Sequence, residues 1–405
     1  MKTGLSRGVT FGGMVVSGMS LMALLPSAAE AAATLEEALA GGKATLDVRY
    51  RYEYVDQNNA LKNAEASTVR SRLGYGTDSY YSVTGYLEFE NITAFGADNY
   101  NSGTNGKTAY SVVTDPEGSE VNQAYLAWDA LLDTQIKYGR QRINLDNQRF
   151  IGSVAWRQNE QTFDALSLVN KFLPDTTVTY AHLSNVNRIT GTNAEMKSDL
   201  LNVSYSGLAA GTLTGYAYLL NYTKSASQST QTLGLRFSGA TKIGDGGKVL
   251  YTAEFAQQGD YDNNPAAYNL NYYLAEVGGT VRGVTAKLGY EALQGDGAHS
   301  VQTPLATLHA FNGWADQFLV TPANGLQDAY LGVDGAVAGV NLMAVYHGFY
   351  AYRGGADYGT ELDLQAMKKF DKNYSVIAKY ATYNSGRASG NVDTDKMWLV
   401  GQMSF

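Results

Sequence analysis

The chain has 405 residues, of which 17% are charged, 30 are tyrosine and none is cysteine, and its formal net charge is −8. The lack of cysteine excludes a disulfide scaffold, a zinc ribbon and a thiol enzyme, and the negative charge argues against a nucleic-acid-binding protein. A hydrophobic content of 44% is too high for a disordered chain, and beyond the N-terminus we find no apolar run long enough for the helices of a polytopic membrane protein.

The N-terminal segment has the features of a secretory signal in the usual order. Lys2 and Arg7 precede an apolar run over residues 9–25, and small residues, mainly alanine, follow it. A membrane anchor is the alternative, but the small residues offer a cleavage site and no basic stop-transfer residues follow. We therefore predict a cleaved signal peptide at residues 1–33 and a mature domain at residues 34–405. An exported chain without cysteine suits the envelope of a Gram-negative cell.

The mature chain opens with strictly alternating residues. Between residues 44 and 54, apolar or aromatic side chains occupy every second position and charged side chains occupy the positions between them. Such period-two alternation predicts a β-strand whose two faces meet different environments. The apolar series is Leu46, Val48, Tyr50, Tyr52 and Tyr54, and the charged series is Asp47, Arg49, Arg51 and Glu53.

The same alternation recurs along the chain. It covers residues 249–256, 284–291, 361–366 and 374–381, and clusters rich in Gly and Asn between such segments indicate turns or loops. The polar series is charged too often for a packed soluble core. We therefore predict an all-β protein, a transmembrane, antiparallel, up-and-down β-barrel with lipid outside and water inside. We count about eighteen strands, with sixteen as the alternative, because closure with both chain ends in the periplasm requires an even number.

The last predicted strand, residues 396–405, ends the chain with an aromatic residue. Met397, Leu399 and Met403 are in register with the terminal Phe405. A terminal aromatic residue resembles the assembly signal of outer-membrane barrels. Together with the secretory signal and the repeated amphipathic strands, it predicts the outer membrane of a Gram-negative cell as the location.

We find no motif for catalysis, metal binding or cofactor binding. The histidines have no metal-ligand spacing, and the chain contains no phosphate loop, dinucleotide fingerprint or calcium loop. We therefore predict no catalytic residue, no metal and no cofactor. His182 and His347 lie in alternating segments, which favours a role as barrel side chains, and a barrel enzyme of the lipase or protease type is the alternative. The other two histidines are His299 and His309.

One stretch, residues 137–161, departs from plain alternation and is rich in arginine. Because residues 143–156 do not alternate, we predict a loop that folds into the barrel and narrows it. Arginine suits such a site, since its planar donors hold carboxylate or phosphate groups and a ring of cations selects anions. The alternative is that these arginines lie at the membrane interface or pair with lumen carboxylates. They are Arg140, Arg142, Arg149 and Arg157.

Early strands extend this basic region. Alternation places Arg49 with Arg51, and Arg70 with Arg72, on a common strand face, so we predict that these four also line the pore. Acidic residues on polar faces could oppose them across the lumen and create a transverse field, or they could form lumen salt bridges. This acidic set is Glu53, Glu88, Glu90, Glu254, Glu291, Glu361 and Asp363.

A second irregular stretch runs over residues 294–327. It is too long for a simple turn, and its Trp314 and Asp316 are candidate loop contacts for a solute. The stretch could cover the extracellular mouth, constrict the pore and present aromatic surface to a sugar ring, or form an ordered surface loop.

Several blocks in these irregular regions resemble the alginate-export family of outer-membrane porins. They are residues 138–142, 156–159, 162–165 and 310–316, and the similarity covers most of the mature chain. The resemblance implies a monomeric eighteen-stranded barrel whose arginine-lined constriction passes an anionic polyuronate outwards. The positions carried over to that constriction are Arg140, Arg142, Arg149 and Arg157.

We therefore predict an outer-membrane channel for passive passage or export of hydrophilic, anionic solutes, with an alginate-like polysaccharide among the candidates. The predicted partners are membrane lipid and an anionic or carbohydrate solute, with periplasmic secretion components in the export case, and no nucleic acid. The alternatives are a substrate-specific uptake porin for small carboxylates or sugars, and the barrel enzyme.

Overall fold

The computed structural model describes residues 32–244 and 246–405. The predicted signal peptide therefore lies outside the described residues except for its last two. In the described part of the chain, no helix is both long and apolar enough to cross a membrane.

Eighteen strands form one antiparallel sheet that closes on itself. A short helix, α1 (Leu35–Ala40), precedes them, and two 3₁₀ turns, Ala226–Gln228 and Leu308–Ala310, lie between them. The strands are β1 (Lys43–Gln57), β2 (Ala64–Gly76), β3 (Val83–Asn99), β4 (Gly118–Ala130), β5 (Thr134–Gln141), β6 (Thr162–Asn170), β7 (Thr176–Asn187), β8 (Asn193–Leu208), β9 (Gly211–Leu220), β10 (Thr230–Ile243), β11 (Gly247–Asp260), β12 (Asn269–Val281), β13 (Val284–Gln294), β14 (Gly325–Val337), β15 (Val340–Tyr350), β16 (Asp357–Lys369), β17 (Tyr374–Ser385) and β18 (Thr394–Ser404).

Each strand pairs with its neighbours in sequence, and the first pairs with the last. The β1–β18 register runs from Asp47 opposite Ser404 to Gln57 opposite Thr394. The terminal residue completes the seam, because the Phe405 amide donates to the carbonyl of Leu46 at 2.8 Å. The predicted barrel is confirmed, and the strand count is eighteen rather than sixteen.

The two faces of the sheet have opposite character. Leu73 of β2 and Leu288 of β13 are each 58% exposed on the outside, whereas Arg51 and Glu53 of β1 are buried inside. Large apolar side chains around the whole circumference face outward, as a lipid-embedded surface requires. The sheet alone therefore separates lipid from a charged lumen.

The two ends of the barrel differ in the length of their connections. Residues 209–210 and 338–339 are tight turns at one end, whereas residues 100–117, 142–161 and 295–324 are loops at the other. Outer-membrane barrels have short periplasmic turns and longer extracellular loops. Both ends of the described chain lie on the short-turn side, which is the periplasmic side.

Two of the long loops turn into the lumen, and we call residues 142–161 inner loop 1 and residues 295–324 inner loop 2. Their apolar side chains, including Phe150 and Trp314, belong to a buried cluster shared with lumen-facing residues such as Tyr272 and Trp398. Burial inside the barrel removes this apolar surface from water. Inner loop 1 is the loop predicted to narrow the barrel, and inner loop 2 constricts the lumen rather than lying on the surface.

Candidate functional site

Phe150 anchors the far side of inner loop 1 to the lumen wall. Its ring lies 5.5 Å from Tyr216, 6.1 Å from Tyr218 and 5.2 Å from Tyr272, measured between ring centroids. Such tilted and edge-on aromatic contacts add to the stabilisation from burial alone. The next residue along, Ile151, forms a parallel bridge with Leu305 of inner loop 2, so the two loops pack together as well as against the wall.

The four predicted arginines of β1 and β2 hold the backbone of inner loop 1. Arg49 donates to the carbonyl oxygen of Ala155 at 2.9 Å, and Arg51 donates to that of Trp156 at 2.5 Å. The Arg70 and Arg72 guanidinium groups reach the carbonyl oxygen of Gln158, at 3.4 and 3.5 Å. These side chains do lie on a common lumen face, where they contact the protein backbone.

Most of the predicted arginines are also paired with carboxylates. Arg157 lies 3.0 Å from Glu53 and 3.2 Å from Asp316. Further pairs are Arg51 with Glu53 at 2.8 Å, Arg149 with Glu291 at 2.8 Å, Arg70 with Asp47, and Arg72 with Glu90. Buried charges require such partners, since an unpaired ion in a low-dielectric interior is costly. The acidic residues on the polar faces of these strands thus include direct partners of the arginines.

Arg142 stands apart because its side chain is 24% exposed, although it bridges Glu160 at 2.5 Å and Glu88 at 2.8 Å. Burial raises the pKa of Glu160, but Arg142 and Arg72 lower it by more than burial raises it, and the resulting pKa is about 2. The same carboxylates raise the pKa of the Arg142 guanidinium, against the effect of its burial. Near it, the Lys137 ammonium lies 4.4 Å from the centre of the Tyr125 ring.

Arg140 lies on the outward face of the barrel. It is two residues from Tyr138, whose side chain is 70% exposed, and alternation gives both residues the same face of β5. Its guanidinium pairs across to Asp164 of β6 at 2.8 Å. The grouping of Arg140 with the lumen arginines is therefore corrected. β5 ends at Gln141, so the alternation that directs Arg140 outward no longer constrains Arg142.

Asp316, the predicted loop contact, joins inner loop 2 to the wall. Its carboxylate lies 2.9 Å from Lys396 of β18 and 2.8 Å from Nδ1 of His309. Burial raises the pKa of Asp316, yet Lys396, His309 and Arg157 together hold it well below its usual range. Asp316 is therefore an ionised anchor in the lumen.

An aromatic cage formed by Trp156, Trp314, Trp398 and His309 surrounds the ammonium group of Lys379. The Lys379 nitrogen lies 3.6 Å from the ring centre of Trp314 and 4.1 Å from that of Trp156. It donates to His309 Nε2 at 2.8 Å, which leaves Nδ1 to donate to Asp316. Burial and Lys379 lower the pKa of His309 to about 3, so this imidazole is neutral at neutral pH.

Sequence reasoning did not single out Lys379 or Trp398 as part of the site. In the sequence, Lys379 is recognisable only as a charged residue on the polar face of a predicted strand. The cage brings both inner loops onto β17 and β18, and its members come from four separate parts of the chain. No local pattern could therefore have shown them to be neighbours.

The histidines considered for catalysis occupy two different faces. His182 lies on the exposed face of β7 and contacts Asp199 at 2.9 Å. His347 is buried in the lumen, where Nδ1 lies 2.9 Å from Asp328. Neither arrangement includes a hydrogen-bonded serine within residues 32–244 and 246–405.

Comparison with known proteins agrees with this architecture. Solved structures with the same fold include OccAB2 of Acinetobacter baumannii, at 16% identity and a TM-score of 0.74, covering 91% of this chain and 99% of that one. OccK9 (OpdG) of Pseudomonas aeruginosa has 14% identity and a TM-score of 0.73, with 91% and 100% covered. OpdK of P. aeruginosa, solved with vanillate, has 12% identity and a TM-score of 0.72, with 91% and 99% covered.

A search of curated proteins finds no match to this chain. At the identities of the solved structures, the likeness establishes a shared fold. Residues 43–294, which span β1 to β13, match the model of the family described as alginate export. The chain belongs to the alginate export family, as the sequence blocks at residues 138–142, 156–159, 162–165 and 310–316 indicated, and it has the barrel fold of an outer-membrane channel.

Proposed function

We propose that this barrel is a passive channel for small hydrophilic solutes, with anions as the preferred class. The observation that carries the proposal is the pair of inner loops, which are packed into a charged lumen and held there from several sides. A lumen narrowed in this way suits solutes that pass singly. The channel acts as a monomer in the outer membrane after export by its signal peptide, and it catalyses no reaction.

The anion preference rests mainly on Lys137, with Arg142 beside it. Arg142 is the predicted lumen arginine whose side chain keeps a substantial exposed fraction, and Lys137 has no ion-pair partner among the described residues. A solute carboxylate can exchange part of its hydration for charge-assisted hydrogen bonds to these groups. Because Arg142 already serves two carboxylates, that binding is weak enough for release.

The small size of the solute follows from how the loops are fixed. Opening the lumen for a polymer would break several buried ion pairs, and removing one partner of such a pair costs about 3–5 kcal/mol. The vanillate named with OpdK is a small carboxylate bound to a barrel of the same fold, which is consistent with this size class.

Export of an anionic polyuronate is the second candidate, and the family match favours it. In that case, periplasmic secretion components would deliver the polymer and the inner loops would have to leave the lumen. Block of the ion current by uronate oligomers that becomes stronger with chain length would support export. Equal block by one-ring and long oligomers supports the small-solute channel.

The test is the zero-current potential of the refolded barrel in a planar bilayer across a KCl gradient. We expect anion preference in the unaltered protein, and a decrease of about two- to fivefold in the chloride-to-potassium permeability ratio for Lys137→Gln, since each lumen charge acts at short range. Arg140→Gln is the matched control, because its guanidinium faces outward. An equal shift in both variants, or no shift in either, contradicts the assignment.

A further inference from the structure

A cavity of about 360 Å³ lies between inner loop 1 and the lumen face of strands β8 to β13. Asp146 and Asn147 of inner loop 1 form one wall. The strand residues that line the cavity come from the halves nearest the short turns, so the cavity is on the periplasmic side of the loop. Its volume is within the range of small-molecule binding sites and accommodates one or two sugar rings.

The cavity exists because the wall residues around it are small. Ser204, Thr214, Ser238, Thr252 and Gly278 line it, and most of them carry a short hydroxyl side chain. On the opposite wall, the lumen positions of β1 and β2 carry arginines that extend to inner loop 1. Serine and threonine, at five positions, are the most frequent residue types around this open part of the lumen.

The positively charged groups of the cavity are already paired with carboxylates. Lys287 lies 3.0 Å from Glu276, and Arg236 pairs with Glu254. Asp146 accepts a hydrogen bond from Asn202 at 2.8 Å. A carboxylate entering the cavity meets no uncompensated positive charge and is repelled by Asp146. Net charge therefore does not draw anions to this part of the lumen.

Hydroxyl groups are the ligands that fit such a surface. Each sugar hydroxyl both donates and accepts, so it can donate to a carboxylate and accept from a threonine, asparagine or lysine. We propose that this cavity is a binding subsite for the hydroxyl groups of a sugar ring, and that it binds carbohydrates with or without a carboxylate. The inference rests on the proposed function, and it narrows the transported solutes to sugars and sugar acids of one or two rings.

Titration calorimetry on the full barrel in detergent tests the subsite directly. The probes are cellobiose, glucuronate and acetate. We expect cellobiose and glucuronate both to bind, glucuronate no more tightly than cellobiose, and acetate to give no measurable heat. Replacing two lining hydroxyls by methyl groups, in Thr214→Val with Thr252→Val, should weaken cellobiose binding about tenfold, because two neutral hydrogen bonds are lost.

The matched control is Thr280→Val with Thr285→Val. These two hydroxyls contact each other at 3.1 Å on the same strand face as Glu276 and Lys287, but they do not line the cavity. Equal affinity in the two double variants, absence of cellobiose binding, or acetate binding as tight as glucuronate binding would overturn the proposal.

Conductance in a planar bilayer separates this proposal from the proposed function. A barrel that conducts ions without binding cellobiose refutes the subsite and leaves the channel standing. A barrel that binds cellobiose and conducts no ions refutes the channel and leaves the subsite standing.

Discussion

Gly313 lies in inner loop 2 at a position where a side chain has no room. Its φ angle is +85°, and a Cβ atom there would collide with the carboxylate of Glu361. The next two amides depend on this approach, since Ala315 N–H donates to Glu361 at 2.6 Å and Trp314 N–H to Asp363 at 3.2 Å. We expect Gly313→Ala to lower the free energy of unfolding by about 1–3 kcal/mol, measured by urea unfolding followed by tryptophan fluorescence.

Gly390→Ala is the control for this variant. Its φ angle is +70°, and a Cβ atom there meets open space, so the substitution costs only the left-handed backbone conformation. Equal losses for the two variants would show that the contact with Glu361 contributes nothing.

The outward position of Arg140 could not be predicted from the sequence. The sequence places Arg140 and Arg142 in one block, two positions apart, which on a strand would give both the same face. The strand ends between them, and a strand end cannot be located to one residue from sequence. By contrast, Arg49 and Arg51 lie well inside a long alternating run, and their lumen placement was predicted.

At the scale of the elements, the aromatic cage connects both inner loops to the barrel wall. We expect Lys379→Met to loosen this connection, because it removes cation–π contacts worth about 0.5–2 kcal/mol together with the hydrogen bond to His309. The measurement is single-channel recording, in which the variant should show more frequent transitions and a larger mean conductance than the unaltered protein.

Lys368→Met provides the comparison for the cage variant. The Lys368 ammonium also lies over an aromatic ring, 5.5 Å from the centre of Phe370, but it is near a periplasmic turn and remote from the inner loops. The role of the cage is refuted if the two variants show the same channel noise.

The elements themselves could be predicted well, but their packing could not. Alternation fixes the strands, and its absence over residues 143–156 predicted that inner loop 1 enters the barrel. The corresponding stretch in inner loop 2 left several placements open, because its buried partners Glu361 and Asp363 belong to a strand that comes later in the chain. Contacts between remote segments carry no periodic signal.

For the whole molecule, two inner-loop groups predict lower stability in acid. The pKa of His309 is lowered from 6.5 to about 3 in the folded chain. Between these pH values the unfolded chain therefore binds a proton at His309 and the folded chain does not. This contribution is complete above pH 6.5 and is lost as the pH falls towards 3. The pKa of Glu160 is about 2 in the folded chain and 4.5 in the unfolded chain. Its contribution to stability is therefore lost as the pH falls from 4.5 to 2. We expect the free energy of unfolding to fall continuously below pH 6.5.

Variants separate the two contributions to this pH dependence. In denaturant titrations at a series of pH values, His309→Gln should flatten the stability curve between pH 6.5 and 4.5, and Glu160→Gln should flatten it between pH 4.5 and 2. A curve whose slope is unchanged by either substitution would exclude both groups as its origin.

The seam between β1 and β18 also constrains how the protein is made. Until β18 pairs with it, β1 presents an unpaired edge, and exposed strand edges pair with other chains. The strand that closes this edge, β18, follows β1 only after the sixteen other strands of the barrel. The edge of β1 therefore stays unpaired while the intervening strands are made, and assembly of the barrel requires that the polypeptide be kept from aggregating until β18 can pair with β1.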